Sequence, residues 1–419
     1  MVPAQVNLPQ VPGLPPAQLP VAPGALLGAA DNTLQSAARL PFDLRVEALL
    51  RRYPAEVERD PRGAPVLRSV ILALSPSPDA LARAQAAGFV VQSDETLDAL
   101  DERIVTLVAP AGRSTRRALA QLRRLDPEGR YDFDHLYIES AAPPQEARDM
   151  SVSAAQPLAP AASASLARIG FVDGGIRRDH PALVSLSIES HGCDGRLIPT
   201  AHGTAVASLL AGQSPNFSGA APGASLYAAD VYCGDDAPGG RVDEIARALA
   251  WLAVQNVTVM NLSFVGPPNL VLEAVIKRVL ARSIVVVAAA GNDGPNAKPL
   301  YPAAYAGVIA VTAVDARHKA LLEAARGPYI AFAAPGADMV AAGIDPEYQP
   351  VRGSSFAAPL VAGLIAARIA VAGSGASNAA ILDSLALEAE DLGRKGRDNV
   401  YGRGLVAASL RVAPVAGIK

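Results

Sequence analysis

The heptad Gly353-Ser354-Ser355-Phe356-Ala357-Ala358-Pro359 lies near the C-terminal end and opens an apolar run from Phe356 to Ala372. Small residues before a serine, and a long apolar segment after it, describe a tight turn entering a buried helix. Ser355 then sits at the helix N-terminus, where the first backbone N–H groups lack intrahelical acceptors and the helix dipole is positive. A hydroxyl placed there is suited to attack a carbonyl and to hold the resulting oxyanion, provided a base lies nearby. On its own the heptad also fits a packed serine at a helix start, so the rest of the chain has to decide. The apolar run contains Pro359 and Arg368 and falls short of the ~20 residues a bilayer span needs, so a core helix is expected.

Upstream, apolar strands alternate with helices. Arg168–Val172 reads as a strand ending in Asp173-Gly174-Gly175, and His202-Gly203-Thr204 opens a helix that runs to Leu210. Leu226–Tyr232 reads as a strand, Val242–Val254 as a helix, Val257–Phe264 as a strand and Asn269–Ala281 as a helix. Ile284–Ala290 and Val308–Val314 follow as strands, with Gly291-Asn292-Asp293-Gly294 after the first. This pattern lacks hairpin turns and implies an α/β fold, a mostly parallel sheet with helices on both faces. In such sheets reactive residues gather at the carboxyl ends of the strands. Asp173, His202, Asn292 and Ser355 all fall at strand ends or helix starts.

Before that region the organisation changes. Residues 65–140 read as strand, helix, strand, strand, helix, strand, the small α+β ferredoxin-like βαββαβ order. Residues 141–164 have the Ala, Pro and Ser composition of a flexible linker, and 165–415 hold the larger domain. Residues 1–64 comprise a Pro-rich arm and a short helix from Asp43 to Arg52. At 419 residues the chain suits two or three units. A net charge of -3 with both signs interspersed gives no electrostatic case for nucleic acid. Two cysteines, Cys193 and Cys233, are too few for a disulfide scaffold and form no C-x-x-C pair. His135, His180, His191 and His318 lie in no metal-ligand spacing, and Asp235-Asp236 reads as a solvated loop tip. No signal peptide is visible, which leaves a cytosolic protein or an exported one numbered without its leader.

The three residue types of serine acyl transfer are thus present with a role for each. Ser355 attacks, His202 takes and returns the proton, and Asp173 fixes the imidazole and stabilises its cation. Asn292 is placed to donate to the oxyanion beside the Ser355 backbone N–H. In the order Asp, His, Asn, Ser, these motifs resemble the subtilisin-like serine proteases, the subtilase family. Val-Asp-Gly-Gly-Ile around Asp173, His-Gly-Thr-Ala-Val-Ala-Ser from His202 and Gly-Ser-Ser-Phe-Ala-Ala-Pro around Ser355 match the family's three signatures. The intervening Gly219-Ala-Ala-Pro-Gly and Tyr301-Pro-Ala-Ala-Tyr segments, and Tyr401-Gly402-Arg403-Gly404-Leu405, extend the likeness over about 165–410.

The resemblance implies an endopeptidase acting on protein or peptide substrates, synthesised as a proenzyme. Residues 65–140 would be its own prodomain, a folding aid and intramolecular inhibitor whose last strand enters the active site. It implies export to the periplasm or outside the cell and, in oxidising surroundings, a Cys193–Cys233 disulfide. The substrate pocket would be walled by Ser263, Phe264, Val265, Gly266, Ala289, Ala290 and Gly291. Val265 stands where many relatives have Gly, which points to small side chains before the cut and to self-processing between Ser140 and Ala142. Gly174 replaces the Ser or Thr that usually follows the aspartate, removing a hydroxyl. Phe356 replaces the usual Met and Ser354 the usual Thr. No cofactor is required for the chemistry and no metal ligands are assigned. A structural calcium is left open but unsupported, because the loop after His202 lacks the family's Asn-rich turn. Neutral His202 is needed, so activity is expected to fall below about pH 6–7. Two rival readings remain: a catalytically silent subtilisin-fold protein that holds a partner in its cleft, and a hydrolase of another ester or amide.

Overall fold

The computed structural model describes residues 42–140, 167–234 and 238–413. The Pro-rich stretch, the 141–164 linker and Asp235-Asp236 lie outside the described residues.

The N-terminal unit begins with α1 (Phe42–Arg52) and the short strand β1 (Val57–Arg59). It continues through β2 (Pro65–Leu74), α2 (Pro78–Ala86), β3 (Val90–Leu97), β4 (Glu102–Val108), α3 (Thr115–Leu125) and β5 (Arg130–Glu139). The antiparallel sheet runs β5-β2-β4-β3, with β1 paired to β2, so α1 and β1 pack on this unit and do not stand apart as an arm. Period-2 alternation explains why Val70-Ile-Leu-Ala-Leu74 is apolar without a break. Ile71 and Ala73 face α2 and α3 with Leu107, Leu119 and Leu122, whereas Leu72 and Leu74 face the larger domain.

The larger sheet has the order β16-β15-β14-β12-β6-β10-β7 and every pairing in it is parallel. Its strands are β6 (Arg168–Asp173), β7 (Ile188–Gly192), β10 (Ser225–Asp230), β12 (Val259–Leu262), β14 (Val285–Ala289), β15 (Ile309–Val314) and β16 (Ile330–Pro335). One face is covered by α4 (Ala201–Ala211) and α7 (Ser354–Ala372), the other by α5 (Val242–Val254) and α6 (Leu270–Ala281). The hairpin β17 (Met339–Ala342) and β18 (Tyr348–Val351), the minor hairpin β8 (Gln213–Ser214) and β9 (Phe217–Ser218), and α8 (Asn378–Leu387) complete it. By length and composition α7 could cross a bilayer, but it runs through the core against α4, β14 and β15.

One expected strand is two. Val257–Phe264 breaks at Ser263 into β12 and the two-residue β13 (Phe264–Val265), and β13 leaves the parallel sheet to pair with β5. The buried Ser263 hydroxyl accepts from Asn261 Nδ2 (2.9 Å) and donates to the Ser355 carbonyl (2.9 Å), which turns the chain toward α7. On its other side β5 pairs with β11 (Gly240–Arg241). The last strand of the N-terminal unit therefore lies between two short strands of the larger domain.

The interface is also polar and specific. Asp134 Oδ1 accepts from Val242 N (2.9 Å) at the start of α5, and Asp132 Oδ2 from Leu270 N (2.8 Å) at the start of α6. Two helix N-termini in the larger domain are thus satisfied by carboxylates of the smaller unit. Asn269 caps α6 through its Oδ1 and donates Nδ2 to Phe133 O and His135 Nδ1, while His135 Nε2 faces Asp60. His135, unremarkable by spacing, is thus part of the contact between the units.

Candidate active site

Asp173 ends β6, and His202 is the second residue of α4. Gly203 lets them meet: a Cβ there would lie 2.3 Å from the Gly174 carbonyl oxygen and 2.7 Å from that of Gly175. With no side chain in the way, the start of α4 docks against the Gly174-Gly175 turn. His202 Nδ1 then donates to Asp173 Oδ1 at 2.7 Å, and Gly174 N donates to the same oxygen at 2.8 Å. Asp173 is 1% exposed and His202 7%, so the pair is shielded from water. The Phe356 ring, in place of the usual Met, packs on His202 with centroids 5.3 Å apart.

No hydroxyl replaces the one missing at Gly174: Asp173 Oδ2 is buried and makes no hydrogen bond among the described residues. A Cβ on Gly174 would come within 2.4 Å of Thr200 Oγ1, so Thr200 occupies the space a longer residue would use. Thr200 also caps α4, accepting from Gly203 N at 3.0 Å.

Ser355 lies in the first turn of α7, behind Gly353, whose φ of 135° is a backbone conformation that favours glycine. Ser355 Oγ and His202 Nε2 are both buried and make no hydrogen bond among the described residues, so neither is committed elsewhere. Asn292 follows β14, and its Oδ1 accepts from Ser354 N at 3.0 Å. That contact fixes the amide orientation and aims Nδ2 at the Ser140 carbonyl oxygen, to which it donates.

Ser140 is where β5 enters the cleft. Its N–H donates to Ser263 O (3.1 Å), its Oγ lies 3.3 Å from Ser354 Oγ, and it is 1% exposed. Behind it, Glu139 pairs with Phe264 and Ile138 with Val265. Tyr137 is fully buried, edge-on to Phe264 and against Gly266, with its OH donating to the Pro267 carbonyl. Of the expected pocket residues, Ser263, Phe264, Val265 and Gly266 thus contact the incoming strand. Ala289 and Ala290 are fully buried at the end of β14. Gly291 N donates to Ser354 Oγ (3.1 Å), and a Cβ on Gly291 would lie 3.8 Å from Val265 Cγ1. Val265 therefore faces Gly291.

Electrostatics depart from the sequence reading. Burial opposes the His202 cation, but Asp173 and the nearby Glu139 outweigh it and push His202 up to about 9. The expected loss of activity below pH 6–7 does not describe this state, in which Glu139 occupies the cleft. Two further residues were not anticipated: Arg45 of α1 donates Nη1 to the Glu139 carbonyl (2.8 Å) and Nη2 to Asp293 Oδ1 (3.2 Å). Burial pushes Asp293 up despite Arg45 and pushes Arg45 down despite Asp293.

Among the described residues, two groups bring three metal-type ligand atoms together: Glu139, Asp173 and His202, and Cys193, Asp230 and Cys233. In the first, His202 Nδ1 is taken by Asp173. In the second, the Cys193 and Cys233 sulfurs are bonded to each other, with Cα atoms 5.3 Å apart.

Residues 168–404 match the model of the Subtilase family. Subtilisin BL of Lederbergia lenta is 35% identical over 210 residues, 49% of this chain and 76% of its own length. Subtilisin E of Bacillus subtilis (strain 168) is 30% identical over 313 residues, covering 71% of this chain and 79% of its own. That share is too large to lie wholly after residue 168, so the likeness reaches into the N-terminal unit. Fervidolysin from Fervidobacterium pennivorans, described as a keratinolytic enzyme related to subtilisin, shares the fold with a TM-score of 0.68 at 20% identity. That alignment covers 82% of this chain and 61% of fervidolysin. The family match spans more than half of the chain, including all four motif residues, and the chain belongs to the subtilase family as a subtilisin-like serine endopeptidase.

Proposed function

We propose that the chain is a proenzyme whose Asp173–His202–Ser355 triad cuts the bond after Ser140, leaving residues 42–140 bound as an inhibitor. The observation that carries this reading is the Ser140 carbonyl, held by Asn292 Nδ2 where an oxyanion would be stabilised. Ser140 also makes the backbone contact to Ser263 expected of the residue before a cut, and Ile138 and Glu139 run antiparallel to β13.

In the reaction, Ser355 Oγ bonds to the Ser140 carbonyl carbon while its proton passes to His202 Nε2. Asp173 accepts the Nδ1–H hydrogen bond and stabilises the imidazolium. The carbonyl oxygen becomes an oxyanion that takes hydrogen bonds from Asn292 Nδ2 and the Ser355 N–H. Collapse breaks the Ser140–Ala141 bond, and His202 returns the proton to the departing amine. Water, deprotonated by His202, then releases the Ser140 carboxylate and regenerates Ser355. Nucleophile, base and oxyanion donors all come from the chain, so the chemistry needs no cofactor.

After release, the same cleft would accept protein or peptide substrates with Ala or Ser before the cut. Export fits the Cys193–Cys233 pair, since disulfides persist in oxidising compartments. The four intact motif residues count against the silent-binding reading, which requires none of them. N-terminal sequencing of the processed enzyme tests the proposal. Ala141 at the new terminus is expected, and its appearance in a Ser355→Ala chain would sink self-processing.

A further inference from the structure

Arg45 has no role in the reaction, yet it reaches the cleft. Its side chain is 8% exposed, as is that of its partner Asp293. Burying a guanidinium is costly unless it is paired and hydrogen-bonded, so this placement calls for a reason. The planar fork spans two acceptors on different segments: the carbonyl of Glu139, one residue before the proposed cut, and Asp293, next to Asn292. Asp293 Oδ1 also accepts from Phe42 N (2.9 Å), the first residue of α1, where a carboxylate suits the helix dipole. The other side of α1 is held by the N-terminal unit, through buried Val46 and the Glu47–Arg59 ion pair. The helix therefore straps the strand end to the loop that carries Asn292.

We propose that α1 is a latch on the cleaved tail: Arg45 retains Ile138–Ser140 in the cleft after the bond is cut, so latency outlasts self-cleavage. The strip of cleft rim at Asp293 is the docking surface, and α1 of the same chain is its occupant. The rim becomes free, and the enzyme active, only when α1 is displaced or digested. This rests on self-processing after Ser140 but goes further, because cleavage alone does not require a latch. Arg45 is a positioning residue, and it is absent from the mature enzyme, which begins after Ser140.

The test compares wild-type, Arg45→Ala and Arg45→Lys full-length precursors, following the 140-residue cut on gels and hydrolysis of a peptide substrate in parallel. Wild type is expected to be cut early and to stay silent with the fragment bound. Arg45→Ala should be cut at the same bond, with the lag before activity shortened at least tenfold. Arg45→Lys keeps a cation by Asp293 but loses the fork, so it should shorten the lag less. It is the variant to read if Arg45→Ala does not fold. Once fully released, all three should share one kcat and KM, because their mature chains are identical. An unchanged lag in a cut Arg45→Ala or Arg45→Lys chain overturns the latch and leaves self-processing intact. A variant that is no longer cut also overturns it, since Arg45 would then act before cleavage. A wild-type chain not cut after Ser140 overturns both.

Discussion

Asn292 Nδ2 donates to the carbonyl oxygen of Ser140, across 152 positions of sequence. The amide cannot turn away without giving up the contact between its Oδ1 and Ser354 N, which lies on the α7 start that also carries Ser355. The Asn292 amide, the proposed nucleophile Ser355 and the Ser140 carbonyl are therefore placed by one short run of backbone. A donor fixed in this way pays no reorganisation as charge develops, which is why such groups act mainly on kcat.

Asn292→Ala and Asn292→Leu are therefore expected to slow self-cleavage by about 10²–10³. In mature enzyme the same loss should appear in kcat with KM little changed. Ser355→Ala should abolish both reactions. Equal rates in wild type and Asn292→Leu would remove this residue from the oxyanion site.

The pH profile of self-cleavage should differ from that of the mature enzyme. With Glu139 in the cleft, His202 is held at about 9, so at neutral pH most of the base is protonated. Self-cleavage should rise with pH toward that value. Once the tail leaves, the Glu139 charge leaves too, and the mature midpoint should lie lower. Glu139→Gln should move the self-cleavage midpoint down and leave the mature profile unaltered. Rates measured in buffers from pH 6 to about 10 check this, and coincident profiles would contradict it.

Val265 faces Gly291 and pairs with Ile138, and we propose it as the wall of the pocket, so the mature enzyme should favour Ala or Ser before the cut and reject Phe or Leu. Overpacking of this kind costs about 1–3 kcal/mol. Val265→Gly should accordingly raise kcat/KM on Phe and Leu substrates by about tenfold or more. A library in which wild type already prefers Leu or Phe would show that the wall lies elsewhere.

Much of this site was legible because its residues sit where the backbone has special needs. Gly203 permits the close approach that joins His202 to Asp173, and Gly353 supplies the turn before Ser355, so both motifs carry small residues that sequence reading can use. Other features left no local mark. The contact between Arg45 and Asp293 joins residues 248 positions apart, and an arginine in a short amphipathic helix reads as surface. The β12–β13 break was hidden because Val257–Phe264 contains no Gly or Pro to mark it. Edge strand β7, Ile188-Glu-Ser-His-Gly192, is mostly polar and exposed, so it shows no alternation. The unbroken apolar run Val70–Leu74 reads simply as a strand, and nothing local says that α5 and α6 cover its second face.

Cys193 and Cys233 are 40 positions apart, and cross-linking a loop of that length stabilises by about 4 kcal/mol in the chain-entropy model. Thiol titration of unreduced, denatured protein should find no free cysteine. Replacing both by Ser should lower thermal stability and leave the site residues in place. Two titratable thiols in protein prepared under oxidising conditions would refute the bond.

The last prediction concerns how pH governs the hold of the N-terminal unit. Asp134 is fully buried against the α5 N-terminus, near Asp243 and within 3.7 Å of Arg241. Burial pushes its carboxyl well above the ordinary value of 3.8 and Asp243 adds to this, while Arg241 and the helix N–H groups only partly oppose it. Once the unit separates, Asp134 meets water and returns toward its ordinary value. The docked state therefore binds a proton more tightly than the separated one. By linkage, the Asp134 contribution to docking is fully present below the free value and is lost as pH rises through the raised docked value. Alkaline conditions should thus loosen the processed complex and speed the appearance of activity. Asp134→Asn keeps an oxygen acceptor for Val242 N but cannot ionise, so it should flatten this dependence. Release of the 140-residue fragment from processed complex, followed against pH by size-exclusion chromatography, reads the effect directly. A slope equally steep in Asp134→Asn would assign the pH response to another group, with Asp293 the next to test because burial raises it too.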